Sequence, residues 1–223
     1  MSSERLDRRV WEDEGQSRVP NVGPPFTTQQ VDDAVLEDKL RLDESSREEP
    51  PEPERVIEDG EVANGEAYAI VKGPEFRNGT IDVELAGVPA ASAGPAARGF
   101  IGVAFRIRDG KFEYIYLRPT NGRADDQVRR NHSTQYSSFP DFDFARSRKE
   151  APEKYESYVD LEPGAWTRVR IVVQGTTARL FVHGAAQPVL IVNDLKLGDS
   201  SGAVALWIGP GTEGYFTGLS IKP

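Results

Sequence analysis

The chain has 223 residues, no cysteine, only two histidines and a formal net charge of −9. Disulfides and thiol chemistry are thereby excluded, and a Cys/His structural zinc site is not expected. The charge is local: residues 1–60 hold 17 acidic and 8 basic side chains, whereas the remainder carries 19 of each. A neutral folded part behind an acidic arm is poorly suited to phosphate backbones, so no nucleic-acid partner is expected. No run approaches the ~20 apolar residues of a membrane span. Residues 1–21 alternate acids and arginines without an apolar stretch, so neither a signal peptide nor a membrane partner is expected, and the simplest location is cytoplasmic.

Residues 1–60 read as an acidic N-terminal arm, largely disordered, with few apolar residues and no sustained period. One short helix is expected where Thr27-Thr28-Gln29-Gln30 precedes Val31, Ala34, Val35 and Leu40. Thr27 or Thr28 would cap it, and Asp32 and Asp33 suit its N-terminal dipole. Glu48 to Glu54, with three prolines among like charges, favours an extended linker. The arm solubilises the chain or docks, through Trp11, Phe26 and Leu36, on the folded part or on a second subunit to make a homodimer.

Beyond residue 60 the apolar period becomes two. Tyr68–Val71 is a first strand, and Thr80–Leu85 sets Ile81, Val83 and Leu85 on one face. Ile101, Val103, Phe105 and Ile107 alternate with Gly102, Ala104, Arg106 and Arg108. Asp109-Gly110 is a hairpin turn, and the returning strand sets Glu113, Ile115 and Leu117 against Phe112, Tyr114, Tyr116 and Arg118. Further strands are Trp166–Gln174, Ala178–Val182, Val189–Val192, Ala203–Ile208 and Tyr215–Ile221, with His183-Gly184 as a turn pair. Ala203–Ile208, apolar on both faces, is central. At least nine short strands with regular turns predict that residues 61–223 form one all-β, antiparallel sandwich of jelly-roll type.

Between the fourth and fifth of these strands runs a long polar excursion, from Pro119 to about Pro163. Its first part, Arg118 to Tyr136, is dense in arginine, carboxylate and amide groups. Loops of such length in compact domains are usually functional or disordered. Tyr136, Phe139, Phe142, Phe144, Tyr155 and Tyr158 supply tethers, which favours order. The arginines either hold the loop through bidentate ion pairs or grip sugar hydroxyls and a substrate carboxylate.

Trp166-x-Arg168-Val169-x-Ile171, Ala178-x-Leu180-Phe181-Val182-His183-Gly184, Gly202-x-Val204-x-Leu206-Trp207-Ile208 and Phe216-x-x-Leu219-x-Ile221 follow one another in the last ~60 residues. This order resembles the concanavalin A-like lectin/glucanase superfamily over roughly residues 62–223. It looks in particular like the superfamily's laminin-G-like members and its 3-keto-disaccharide hydrolases, which are related to glycoside hydrolase family 16. The resemblance implies a ligand on the concave face, and a carbohydrate or sugar-derived small molecule as partner. Family 16 enzymes carry a Glu-x-Asp-x-Glu strand; here Thr80-Ile81-Asp82-Val83-Glu84 stands in its place. Glu84 takes the acid/base position and Asp82 the orienting one, but Thr80 replaces the nucleophile. Retaining hydrolysis needs two carboxyls about 5–5.5 Å apart, so this departure argues against the standard chemistry.

If the alternating apolar residues Ile81, Val83, Ile101, Val103, Phe105, Ile115 and Leu117 face the core, the opposite face carries Asp82, Glu84, Gly102, Ala104, Arg106, Tyr114, Tyr116 and Arg118. Small Gly102 and Ala104 leave room over it, and the tyrosines offer stacking surfaces with polar tips. Asn121, Arg123, Arg129, Arg130, Asn131 and Tyr136 of the excursion are further binding candidates. His132 is a candidate general base or acid, with Asp125 or Asp126 as its partner. No cofactor is expected, although Asp125, Asp126, Asp141 and Asp143 could hold a calcium ion without an EF-hand spacing. Three functions stay open: a glycan-binding module, an enzyme on a glycoside or modified sugar, and a protein-interaction domain working through the arm.

Overall fold

The structure, a computed structural model, describes residues 40–43 and 67–223. Most of the expected helix and the anchors Trp11, Phe26 and Leu36 lie outside these residues. Leu40, assigned above to the end of that helix, instead opens a strand, β1 (Leu40–Asp43), paired antiparallel with the last strand.

The remaining strands are β2 (Ala67–Phe76), β3 (Gly79–Pro89), β4 (Ile101–Arg108), β5 (Lys111–Leu117), β6 (Thr134–Phe139), β7 (Glu156–Ser157), β8 (Thr167–Gln174), β9 (Thr177–Val182), β10 (Leu190–Val192), β11 (Gly202–Ile208) and β12 (Thr212–Lys222). They form two six-stranded antiparallel sheets. Sheet A has the order β1-β12-β3-β8-β9-β10, and sheet B the order β2-β11-β4-β5-β6-β7. The two meet over one apolar core. Ile81, Val83, Leu85, Val169, Ile171, Leu180 and Phe216 come from sheet A, and Val103, Phe105, Ile115, Leu117, Val204 and Leu206 from sheet B. This is the jelly-roll sandwich that the alternation predicts.

The polar excursion is more ordered than a loop. It holds a 3-10 turn (Pro119–Asn121), helix α1 (Gln127–Asn131), strand β6, helix α2 (Phe144–Glu150) and strand β7. β6 pairs along its whole length with β5. Its sequence conceals the strand because Tyr136 points into the core while Gln135 and Ser137 point outward, a weak apolar alternation. Tyr155 anchors the return: its ring packs edge-on against Phe142, centroids 5.1 Å apart, and its hydroxyl donates to Asp194 Oδ2 at 2.6 Å. Burial pushes the Asp194 carboxyl up. Donation from Tyr155, Lys154 and Lys196 overrides this and holds it down at about 2.

A bulge in β4 changes the fate of Arg106. Register with both neighbouring strands shifts here, and Arg106 takes φ +58°. An extra residue exchanges the faces of everything beyond it. Ile107, expected in the core, joins the outer side of sheet B, while Arg106 turns inward and is 1% exposed. Its guanidinium donates to the carbonyls of Arg77 at 2.6 Å, Gly175 at 2.8 Å and Gly198 at 2.6 Å. Three connections at one end of the sandwich, β2–β3, β8–β9 and β10–β11, are thus held by one side chain. Removing a buried guanidinium strands all three carbonyls, so Arg106→Ala should lose roughly 3–5 kcal/mol in urea unfolding, with no recovery in Arg106→Met.

Candidate functional site

The alternation argument fixes inside and outside, but not which sheet a strand joins. β3 lies in sheet A between β12 and β8, whereas β4 and β5 lie side by side in sheet B. Asp82 and Glu84 therefore do not share a face with Tyr114, Tyr116 and Arg118, as the sequence reading expected. They stand on the outer side of sheet A, paired across to β8: Arg170 Nε donates to Asp82 at 2.7 Å and Arg168 Nη2 to Glu84 at 3.4 Å. With Gly218 they line an open cleft of about 250 Å³. Facing arginines are a sufficient structural role for both carboxylates.

The outer side of sheet B is different. Cross-strand register sets Tyr68, Trp207, Gly102, Tyr116 and Gln135 in one row, and Ile70, Ala205, Ala104, Tyr114 and Ser137 in the next. The space expected over Gly102 and Ala104 is filled. Trp207 leans across β4 onto both tyrosines, with ring centroids 5.1 Å from Tyr114 and 4.9 Å from Tyr116. The two tyrosines stack 5.5 Å apart. Phe112 and Phe139 extend this layer along β5 and β6, stacked at 5.0 Å. A Cβ at Gly102 would come 2.7 Å from the Tyr116 Cβ, so only glycine lets β4 and β5 approach this closely.

Tyr114, Tyr116 and Trp207 are each 5% exposed or less. The half-buried members of the cluster are Tyr68, Ile70, Phe100, Phe139 and Ala203. Three buried polar atoms on this side, Tyr68 Oη, Ser137 Oγ and Trp207 Nε1, have no hydrogen-bond partner among the described residues. Unsatisfied buried polar groups are few in native proteins, and three on one face of one sheet call for an explanation.

At the end of the row lies a buried ionic network. Arg118 donates to Tyr116 Oη, Gln135 Oε1 and Glu156 Oε1, each at 3.0 Å, and its guanidinium carbon sits 5.0 Å from the Tyr116 ring centroid. Arg148 reaches Glu156 with two bonds, at 2.8 and 2.5 Å. Burial pushes the Glu156 carboxyl up, but Arg148, Arg118 and His132 outweigh it and leave it below the ordinary glutamate range.

His132, at the C-terminus of α1, comes within 3.2 Å of Glu153 and 3.6 Å of Glu156 through Nε2. Its acidic partners are these, not Asp125 or Asp126. Asp126 is committed to capping α1 by accepting from the Arg129 amide, and Asp125 is exposed. Tyr136, a binding candidate, points the other way: its hydroxyl donates to the enclosed Glu113 at 2.5 Å. Burial raises the Glu113 carboxyl despite that bond and one from the Leu197 amide.

The other candidates from the excursion shape the loop. Asn121 donates to His132 O and accepts from Arg129 Nε at 2.8 Å. Arg130 bonds Ala124 O, Asn131 accepts from Gln127, and Arg123 forks onto Asp160 and Glu162 at the surface. His183 takes φ +57°, the turn role expected of it. Asp143 caps α2, and among the described residues no group of three or more acidic, histidine or cysteine side chains is placed to hold a metal ion.

Sequence reasoning missed Trp207, Gln135, Arg148 and Glu156 as members of this site. The signal for Trp207 was present: a strand apolar on both faces needs an apolar layer on each side.

No protein-family model matches the sequence, and no curated protein matches it. Among solved structures, the carbohydrate-binding module CBM66 from Bacillus subtilis aligns with a TM-score of 0.50 at 9% identity, over 71% of this chain and 82% of that one. The two chains share the fold of a two-sheet antiparallel β-sandwich. The Caenorhabditis elegans galectin LEC-6 aligns at 12% identity over 70% of this chain and 90% of that one, but its TM-score of 0.41 adds nothing to that conclusion. On a shared sandwich fold, function has to be argued from the site.

The ionic network makes a pH prediction. A carboxyl held below its unfolded value contributes stability above that value and loses it as pH falls towards the folded one. Stability should therefore decline from about pH 4.5 downward. Glu156→Gln should be less stable at pH 7 and show a flatter decline over that acid range, as measured by melting temperature against pH.

Proposed function

We propose that this chain is a carbohydrate-binding domain and that the outer face of sheet B, with the ionic network at its end, is its ligand face. The observation that carries the reading is the aromatic layer, which comes to the surface at half-buried Phe100 beside the polar groups of the rim. A sugar ring has an apolar face that stacks on aromatic rings and hydroxyls that bond polar side chains. The fold shared with a carbohydrate-binding module agrees with this reading. The inner rings are enclosed, so the sugar engages the layer from its rim, where Phe100 is half-buried and packs against Tyr116 with centroids 6.2 Å apart.

Binding is favoured over hydrolysis by the state of the carboxyls. A general acid needs a proton near neutral pH, and Glu156 is held ionised by two arginines. Glu113, whose carboxyl is raised, is fully enclosed in the sandwich and out of a substrate's reach.

The test is a thermal-shift screen of the full chain against mono- and oligosaccharides, followed by calorimetry on any ligand that raises the melting temperature. Phe100→Ala should weaken a bound sugar about tenfold, equivalent to roughly 1.4 kcal/mol, with little change in melting temperature. Absence of a shift with any sugar at millimolar concentration would overturn the reading.

A further inference from the structure

Among the described residues the arginines at the rim outnumber the carboxylates that face them. Arg118 and Arg148 share Glu156. The Arg98 guanidinium, two residues before Phe100, donates to the carbonyls of Pro95 at 2.7 Å and Ala97 at 2.8 Å. The Arg129 guanidinium donates to Asn121 Oδ1, Thr120 O and Thr120 Oγ1. Among the described residues neither has an acidic side chain within ion-pair distance.

These arginines are also close together. The Thr120 amide donates to Arg98 O, and the same residue's carbonyl and hydroxyl receive the Arg129 guanidinium. Burial, then the charge of Arg129, then that of Arg118 hold Arg98 below its ordinary value, so both neighbours repel it across this rim. Like charges gathered around half-buried positions, with no counter-ion for Arg98 or Arg129 among the described residues, favour an anion that removes the repulsion. Guanidinium groups match a planar carboxylate in particular, which can take two parallel bonds.

We propose that the sugar bound at this rim is an acidic one, a uronic acid residue whose C6 carboxylate lies between Arg98 and Arg129 while its ring engages Phe100. This deepens the carbohydrate reading and rests on it. The cation excess selects for charge, and the aromatic rim distinguishes a sugar acid from a bare carboxylate. Arg123, on the same excursion, is spoken for by Asp160 and Glu162 and takes no part.

The experiment is calorimetric titration of the full-length chain with trigalacturonate and, separately, with the neutral galactotriose, at 20 and 300 mM salt. The expected result is at least tenfold tighter binding of the uronate, weakening at high salt as charges at a surface rim are screened. Arg98→Ala should lose at least tenfold in uronate affinity, and Arg98→Lys, which keeps the charge but not the two-pronged geometry, should fall between Arg98→Ala and the parent chain. The side chain is half-buried and bonds only its own loop, so the melting temperature of both variants reports that the fold is kept. Equal or tighter binding of the neutral trisaccharide would overturn the acidic-sugar inference and leave the carbohydrate reading standing. An unchanged uronate affinity in Arg98→Ala would overturn the placement. If neither trisaccharide binds and the wider sugar screen is also blank, both readings fall.

Discussion

The arrangement of sheet B depends on one missing side chain. Gly102 sits in the middle of a row whose other members are Tyr68, Trp207, Tyr116 and Gln135. Because it carries no Cβ, β4 approaches β5 closely, and Trp207 on one side of β4 reaches Tyr116 on the other. Two strands that are not hydrogen-bonded neighbours are thereby joined through their side chains. With Ala104 and Ala205 in the next row, the centre of the sheet is a shallow trough filled from both sides by rings. A sheet that ordinarily buries one face and wets the other here has two apolar faces, one for the core and one for the aromatic layer.

That second layer explains why the chain between β5 and β8 is ordered. Tyr116 projects its hydroxyl towards the sheet's edge, and Arg118 meets it there, at the point where the strand ends and the excursion begins. Arg118 then bonds His132 O, Gln135 and Glu156, which belong to the far end of α1, to β6 and to β7. One guanidinium therefore ties the start, middle and return of the excursion. Its buried charge is paired with Glu156, and Glu156 in turn is matched by Arg148 from α2. The loop is long because it carries its own secondary structure, and it is fixed because its ionic groups are satisfied from within.

How much of this could be read from the residues divides along a physical line. The alternation of Ile81, Val83 and Leu85, and of Val169, Ile171 and Val173, fixes what faces the core, and those residues do. Alternation has no information on which of two sheets a strand joins, so Asp82 and Glu84 were set beside Tyr114 and Tyr116 although a core's thickness separates them. It also assumes an unbroken period, and the bulge at Arg106 breaks it, exchanging the faces of Arg106 and Ile107. β6 escaped notice because Thr134 and Ser138 share the inward face with Tyr136 while Phe139 joins the outer layer, which blurs the apolar alternation. Of the site, Tyr116 and Arg118 were legible as neighbours on one strand. Glu156 and Arg148 were not, because only the return of the chain through α2 and β7 brings them near.

The same network bears on whether such a site would do chemistry. Catalysis by carboxyl groups relies on neighbouring environments driving two of them apart, one protonated and one ionised, within reach of the same bond. This sandwich does drive two glutamates apart: burial raises Glu113 and arginines lower Glu156. They lie on opposite sides of sheet B, however. Glu113 faces the core, accepting from Tyr136 and the Leu197 amide. Glu156 faces the ionic network, accepting from Arg118 and Arg148. A sheet stands between the acid and the base, so no single substrate atom can meet both. What the outer face retains is fixed charge and rigid rings.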